Sequence, residues 1–204
     1  MEKGKTKQAI LEASLELFSK QGFEATSVSQ IAELVGIRKA SLYSHFESKQ
    51  DILNALMKEV LEEYDSHSIF TNQNWEETEN LPMTPDEAVH MIQEQIQYIL
   101  HDPNVSRGRK MLVIEQFQNP ELAKVQTKQN YSDVMNYFCG MIKCLIQKGV
   151  LIDDDPEIMA SQLCLPITVW SNLCDREPDR ENEVMNLVER HIRQFFKIYL
   201  SKER

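Results

Sequence analysis

The sequence predicts an all-α chain of about nine helices, with a three-helix helix-turn-helix head and a helical body behind it. Three observations carry that fold class. Apolar residues recur at three- and four-residue spacing through most of the chain. Two stretches, Asn119-Pro120-Glu121 and Asp155-Pro156-Glu157, set a cap, a proline at the first turn and an acid in the order that opens a helix. The stretch SVSQIAELVGIRKASLYSHFESK, residues 27–49, reads as a helix, a Gly-containing turn and a short second helix, a pair suited to setting the second helix in a DNA major groove.

Each element follows from local signals. The polar opening MEKGKTK reads equally as a disordered terminus or as a basic arm able to touch phosphates. From Thr6 to Gln21, Ile10, Ala13, Leu17 and Phe18 keep helical spacing, and Gly22 stands where a left-handed cap is wanted. Thr26 and Ser27 are candidate caps of the second helix, and Ser27 with Gln30 makes a capping-box pattern. Gly36 ends that helix. In the third helix Leu42 and Phe46, four apart, face inward. Lys39, Ala40, Ser41, Tyr43, Ser44 and His45 remain outside. Small Ala40 and Ser41 let the backbone approach a groove, Lys39 suits phosphate or guanine acceptors, and Tyr43 and His45 can donate to phosphate oxygens. Ser48-x-x-Asp51 is a second capping-box pattern, which sets Lys49 at the start of a fourth helix, where amides and ammonium could hold one more phosphate.

Charge is divided along the chain. The total is −10, yet residues 1–50 hold seven basic and six acidic side chains, a net of +1 that leaves −11 for residues 51–204. An acidic body repelled by DNA would confine contact to the head. We therefore divide the chain into a DNA-binding domain, residues 1–50, and a helical regulatory and dimerisation domain, residues 51–204.

The head carries a resemblance to a known family. Gly22-Phe23-Glu24-Ala25-Thr26-Ser27-Val28-x-x-Ile31-Ala32, followed by Gly36-Ile37-x-Lys39-Ala40-Ser41-Leu42-Tyr43-x-His45-Phe46-x-Ser48-Lys49-x-x-Ile52-Leu53, strongly resembles the TetR/AcrR family of bacterial transcriptional regulators over about residues 6–57. The resemblance implies an all-helical homodimeric repressor, paired through its two C-terminal helices, that binds a palindromic operator in double-stranded DNA and releases it when a small molecule binds the C-terminal domain. It puts Thr26, Ser27, Lys39, Ser41, Tyr43, His45 and Lys49 at DNA-contact positions. One departure stands out. Many relatives carry a capping Ser where this chain has Arg38. Arginine cannot cap, and its cation faces the positive end of the helix dipole, so either a phosphate or base contact or the role of a solvated turn arginine is expected of it.

Beyond the head, Ile52, Leu53, Leu56, Met57, Val60, Leu61 and Tyr64 make a long amphipathic fourth helix, expected to link head and body. Residues 66–85 keep no period; Phe70 and Trp75 would fold them as a lid over a pocket, or they form a plain loop. A fifth helix opens at Pro85 and breaks at Asp102-Pro103. A sixth runs through Arg109–Phe117, and a seventh from Pro120 to about Lys148, with Gly149 as terminator. The eighth opens at Pro156, is apolar on two sides and contains Pro166, which should bend it. A ninth carries Val184, Leu187, Val188, His191, Ile192, Phe195, Phe196, Tyr199 and Leu200. These last two helices, doubled by a two-fold axis, would make a four-helix interface.

Other chemistries find little support. The histidines are scattered with no HxxxH, and the four cysteines form no CxxC, so neither a metal nor a cofactor is expected. No catalytic motif appears, and an enzyme is not expected. The polar lysine-rich N-terminus is no signal peptide and no run is apolar enough to span a membrane, which leads us to expect a cytoplasmic protein with reduced thiols. The candidate ligand lining is Tyr64, Met91, Gln95, Tyr98, Met111, Ile114, Tyr131, Met135, Phe138 and Trp170, with Gln95 and Glu115 as polar anchors for an apolar or amphipathic effector. The same residues equally suit an ordinary core. A regulator of this fold answering to a protein partner or a redox change is the alternative.

Overall fold

The computed structural model describes residues 3–71, 75 and 81–201. Ten α-helical segments follow one another: α1 (Lys3–Gln21), α2 (Val28–Val35), α3 (Lys39–Tyr43), α4 (Lys49–His67), α5 (Pro85–His101), α6 (Pro103–Glu115), α7 (Pro120–Thr127), α8 (Asp133–Gln147), α9 (Pro156–Arg176) and α10 (Glu181–Tyr199). A π-helical turn, Lys128–Ser132, joins α7 to α8, so the seventh predicted helix is these three segments in series. Nine helices therefore stand among the described residues. The only β pairing there is an isolated antiparallel bridge, Leu151 with Leu200.

The opening signals act as predicted. Asn119 Oδ1 accepts the Glu121 and Leu122 N–H groups at 3.0 and 3.3 Å, and Asp155 Oδ1 accepts those of Glu157 and Ile158 at 2.9 and 3.3 Å. Thr84 and Glu87 add a reciprocal capping box before Pro85. Three boundaries differ from expectation. From Lys3 on the basic opening is helical rather than a free arm, with Thr6 buried and the Lys7 ammonium 5.4 Å from the Phe46 ring centroid; Met1 and Glu2 lie outside the described residues. The sixth helix opens at Pro103 rather than Arg109, because a proline that ends one helix is equally suited to the first position of the next. It also ends at Glu115, before Phe117.

Two compact units result. One holds the described residues of Met1–His67 together with Pro103–Gln126; the other holds those of Ser68–Asp102 and Thr127–Arg204. The functional boundary expected at residue 50 thus falls inside the first packing unit. That unit is built on Ile10, Phe18, Ile31, Leu42, Ile52 and Leu53 from the head helices and α4, with Met111 and Leu112 from α6 fully buried among them. Burying each such side chain contributes roughly 1.5–3 kcal/mol.

In the second unit α8 and α9 pack together, with α5 and α10 against them. Trp75 lies in this core: its indole N–H donates to the Tyr137 carbonyl at 3.0 Å and its ring meets that of Tyr137 at 4.7 Å. Gly140 leaves room for it, since a Cβ there would fall 2.8 Å from Trp75 Cδ1. Trp75 is thus an anchor of the connection before α5. Residues 72–74 and 76–80, part of the lid-or-loop expectation, lie outside the described residues.

The two apolar sides expected of the eighth helix converge on one buried face of α9: Met159, Ala160, Leu163, Cys164 and Ile167, followed by Ser171 and Cys174. Pro166 lies inside it and withholds the N–H that the Gln162 carbonyl would otherwise accept. His191 of α10 fills that gap. Its Nε2 lies 2.9 Å from the Gln162 carbonyl and 3.0 Å from that of Leu163, so Nε2 carries the proton and donates. Trp170 packs edge-on against the imidazole at 5.4 Å. The cysteines are free thiols, three of them buried, and burial pushes Cys164 up to about 12.

Candidate nucleic-acid interface

The α2–turn–α3 pair is set by backbone chemistry at both of its joints. Ser27 caps α2: its Oγ accepts the Gln30 N–H at 3.2 Å, and Gln30 Oε1 accepts the Ser27 N–H at 2.7 Å. Such a cap contributes about 1 kcal/mol. Gly36 takes the left-handed conformation, φ +76°, and the Ile37 N–H then reaches the Ala32 carbonyl at 2.9 Å. A residue with a Cβ would be strained in that conformation.

The α3 turn follows with its two faces separated. Leu42 and Phe46 are buried in the head core, whereas Arg38, Lys39, Ala40, Ser41 and Ser44 are exposed and Tyr43 is 45% exposed. His45 is half-buried at the edge. Arg38 occupies the cap position of α3 in extended conformation and makes no side-chain cap bond. Neither Arg38 nor Lys39 has a hydrogen-bond or ion-pair partner among the described residues. The outer face of α3 therefore presents two unengaged cations, small Ala40 and Ser41, and the Tyr43 hydroxyl, a set able to follow a polyanion and to read base edges.

Two residues expected at this face are engaged elsewhere. Thr26 is 1% exposed; its hydroxyl donates to the Gly22 carbonyl at 2.7 Å and accepts from Gln21 Nε2 at 3.0 Å. It is a strut of the α1–α2 turn, and the cap is Ser27 alone. The Lys49 ammonium donates to the carbonyls of Phe23, Thr26 and Glu24 at 2.6, 2.9 and 3.4 Å and lies 4.1 Å from the Phe23 ring centroid. An ammonium has three protons, and these three carbonyls of the protein's own backbone can accept all of them. The second capping box also differs: Ser48 Oγ accepts the Asp51 N–H, but Asp51 Oδ2 turns to the Glu47 N–H.

The expected ligand lining is split between the two units. Tyr64, Met111, Ile114 and Glu115 belong to the first, and Met91, Gln95, Tyr98, Tyr131, Met135, Phe138 and Trp170 to the second. Met111 is a fully buried core residue of the head, while Ile114 and Tyr131 are 40% and 52% exposed. Glu115 is 5% exposed, and its Oε1 accepts the Phe23 N–H at 2.7 Å. In the second unit, Phe138 and Gln95 are buried, Met91 Sδ accepts the Tyr137 hydroxyl at 3.5 Å, and the Met135 and Cys164 sulfurs are 3.6 Å apart. No group of three or more potential metal ligands is present among the described residues. Sequence reading missed Phe23 and the α1–α2 turn as a polar junction; its partners lie 26 and 92 residues away, beyond any local pattern.

Residues 10–56 match the family model described as bacterial regulatory proteins, tetR family. The regulator UidR of Escherichia coli (strain K12) is 25% identical over 178 residues, 85% of this chain and 83% of its own length. The biofilm operon negative regulator IcaR of Staphylococcus aureus (strain Newman) is 40% identical over 68 residues, 33% of this chain and 36% of its own. These matches support a TetR-family transcriptional regulator, with the family's own helix-turn-helix model covering residues 10–56. The relatives matched are DNA-binding transcriptional regulators rather than enzymes, and the matches support that class here. The fold agrees: SmeT, repressor of a Stenotrophomonas maltophilia multidrug efflux pump, superimposes with a TM-score of 0.63 at 17% identity, covering 97% of this chain and 91% of that one. SmeT in complex with triclosan gives a TM-score of 0.60 at 18% identity, over 97% and 93% of the two chains.

Proposed function

We propose that this TetR-family protein is a homodimeric repressor that reads a palindromic operator through α3 and is released from it by a small apolar or amphipathic effector. The observation that carries the DNA reading is the outer face of α3, where Arg38, Lys39, Ala40, Ser41 and Tyr43 stand exposed while Leu42 and Phe46 are buried. In this reading Lys39 and Arg38 meet phosphate or guanine, Ser41 and Tyr43 donate to backbone oxygens, and His45 touches the edge of the site. Ser27 adds the α2 N-terminus, where free amides favour a phosphate.

Pairing is supported by apolar side chains left on the outside of the last two helices. Ile158 and Val169 on α9 and Ile198 on α10 are each more than half exposed in the single chain. A two-fold axis through that face covers the same patch on both copies. Two heads so paired read half-sites about 34–36 Å apart.

The effector site belongs to the second unit in this reading, with Met91, Gln95, Met135 and Phe138 as its lining and Trp170 at its margin. A complex of SmeT with triclosan supports the class of ligand. The protein acts in the cytoplasm; among the described residues no helix is long and apolar enough to cross a membrane.

Selection of duplex DNA from a random pool with the purified full-length protein, followed by footprinting, tests the reading. A palindromic site is expected, and Lys39→Ala should weaken binding to it. Failure to retain any duplex would overturn the reading. For the effector, a thermal-shift screen of apolar and amphipathic compounds, triclosan included, precedes release assays on Met135→Ala and Trp170→Ala; a release response intact in both variants sinks the ligand assignment.

A further inference from the structure

We propose that Glu115 is a positioning residue for DNA recognition: from the end of α6 it holds the α1–α2 turn of the head through the Phe23 N–H. The inference rests on the DNA-binding reading above, and it adds a residue far from the reading helix that fixes the helix's setting.

The turn needs an outside partner. α1 ends with Gly22 in the left-handed conformation, φ +84°, and the Gly22 N–H returns to the Phe18 carbonyl at 3.0 Å. That single bond is the simpler left-handed helix end, in which the next N–H, here Phe23, is not used by the helix itself. Glu115 Oε1 takes it at 2.7 Å. The approach is close: a Cβ on Gly22 would lie 3.0 Å from Glu115 Oε1 and 3.1 Å from Ile114 Cγ2. Lys49 holds the other side of the same residue, donating to the Phe23 carbonyl at 2.6 Å with its ammonium over the ring. Phe23 is thus gripped at its N–H by an anion from α6 and at its carbonyl by a cation from α4.

The placement of Glu115 is poor for stability alone. Its carboxylate is buried, and it sits at the last residue of α6, the helix end where negative charge is disfavoured. A charge retained there is expected to fix a geometry rather than to add net stability. The geometry it fixes leads straight to the reader. The Thr26 hydroxyl bonds back to the Gly22 carbonyl, Lys49 holds the Thr26 carbonyl, and the next residue, Ser27, caps α2. The direction in which α2 leaves the turn, and with it the setting of α3, is therefore tied to Glu115.

The test compares full-length wild type with Glu115→Met, which removes the acceptor, Glu115→Gln, which keeps one, and Glu115→Asp, which withdraws the carboxylate by one methylene. Two readouts are needed: the Phe23 amide signal in a 15N-labelled sample, and affinity across a salt series for the duplex that wild type selects. Glu115→Met is expected to lose the downfield Phe23 amide and to bind about tenfold more weakly, the size of one lost charge-assisted bond. Its salt slope should match wild type, because no phosphate contact is lost. Glu115→Gln should stay within about threefold, since an acceptor remains. If Glu115→Met loses its helix content, Glu115→Asp decides, with a moved Phe23 signal and a loss of at least about threefold expected. Wild-type affinity in Glu115→Met, equal losses in the Met and Gln variants, an altered salt slope, or an Asp variant unchanged in both readouts would each overturn the proposal. A wild type that retains no duplex defeats the DNA-binding reading and this proposal together; failure in the variants alone defeats only the proposal.

Discussion

At the scale of single residues, the cations of the head divide into two kinds by what surrounds them. Arg38 is exposed and unpartnered among the described residues, at a helix start that it cannot cap. Arg38→Ser should therefore move two quantities in opposite directions. The serine supplies a cap and should raise unfolding stability by about 0.5–1 kcal/mol, read by urea denaturation. Affinity for the selected duplex should fall, with the log–log salt slope smaller by about one if the guanidinium meets a phosphate. Lys49 is the opposite case. Its protons are taken by three carbonyls, so Lys49→Met should cost about 1–3 kcal/mol of stability and leave the salt slope unaltered. From sequence the two look alike, both basic and both flanking the reading helix. What separates them is a set of backbone carbonyls in a turn more than twenty residues earlier, and carbonyls have no letter in a sequence. Arg38 was legible for a different reason: a cap position filled by a side chain that cannot cap is a local contradiction.

At the scale of elements, the sequence was most readable where punctuation is chemical. Asn119-Pro120, Asp155-Pro156 and the Ser27–Gln30 box each mark a helix end with an atom that bonds an unsatisfied amide, and each does so in the structure. The start of α6 is hidden because Pro103 serves two helices at once, closing α5 and opening the next. The π-turn at Lys128–Ser132 left no trace, since one extra residue barely disturbs apolar spacing. The bend in α9 was half legible. Pro166 announces a missing N–H, but nothing announces that His191, on another helix, supplies the replacement donor. That pairing makes a testable statement. His191→Leu should cost about 0.5–1.5 kcal/mol by removing the donor to the Gln162 carbonyl. In a Pro166→Ala background, where the substituted alanine brings its own N–H to that carbonyl, the same change should cost clearly less. Additive losses across the four proteins in thermal unfolding would show that the two are not coupled.

At the scale of the whole molecule, the packing units do not follow chain order. The first unit draws residues from both sides of an interruption, Ser68–Asp102, that belongs to the second. Met111 and Leu112, both with no exposed surface, sit in the same core as Ile10, Phe18, Ile31 and Leu42. A fragment ending at residue 67 should then fail to fold as an independent head, showing low helix content and no dispersed amide spectrum. Adding a peptide of residues 103–126 should restore helix content and the Phe23 amide signal together. A fragment 1–67 that is fully helical and dispersed alone would contradict this. The resemblance of residues 6–57 to one family marked the stretch that the family model also matches, residues 10–56, but not its packing partners, because a motif records what recurs along a chain and not which later segment closes the core.

The interleaving has a consequence in time as well as in space. A ribosome builds the chain from its N-terminus, and the reading helix α3 is made well before α6. Its core is not complete until α6, and then Leu122, have been synthesised. At about 5–20 residues per second, the nascent head waits several seconds for the strip that seats it. If the fragment ending at residue 67 fails to fold alone, the competence to bind DNA arrives only after the first helix of the other unit, α5, has been made.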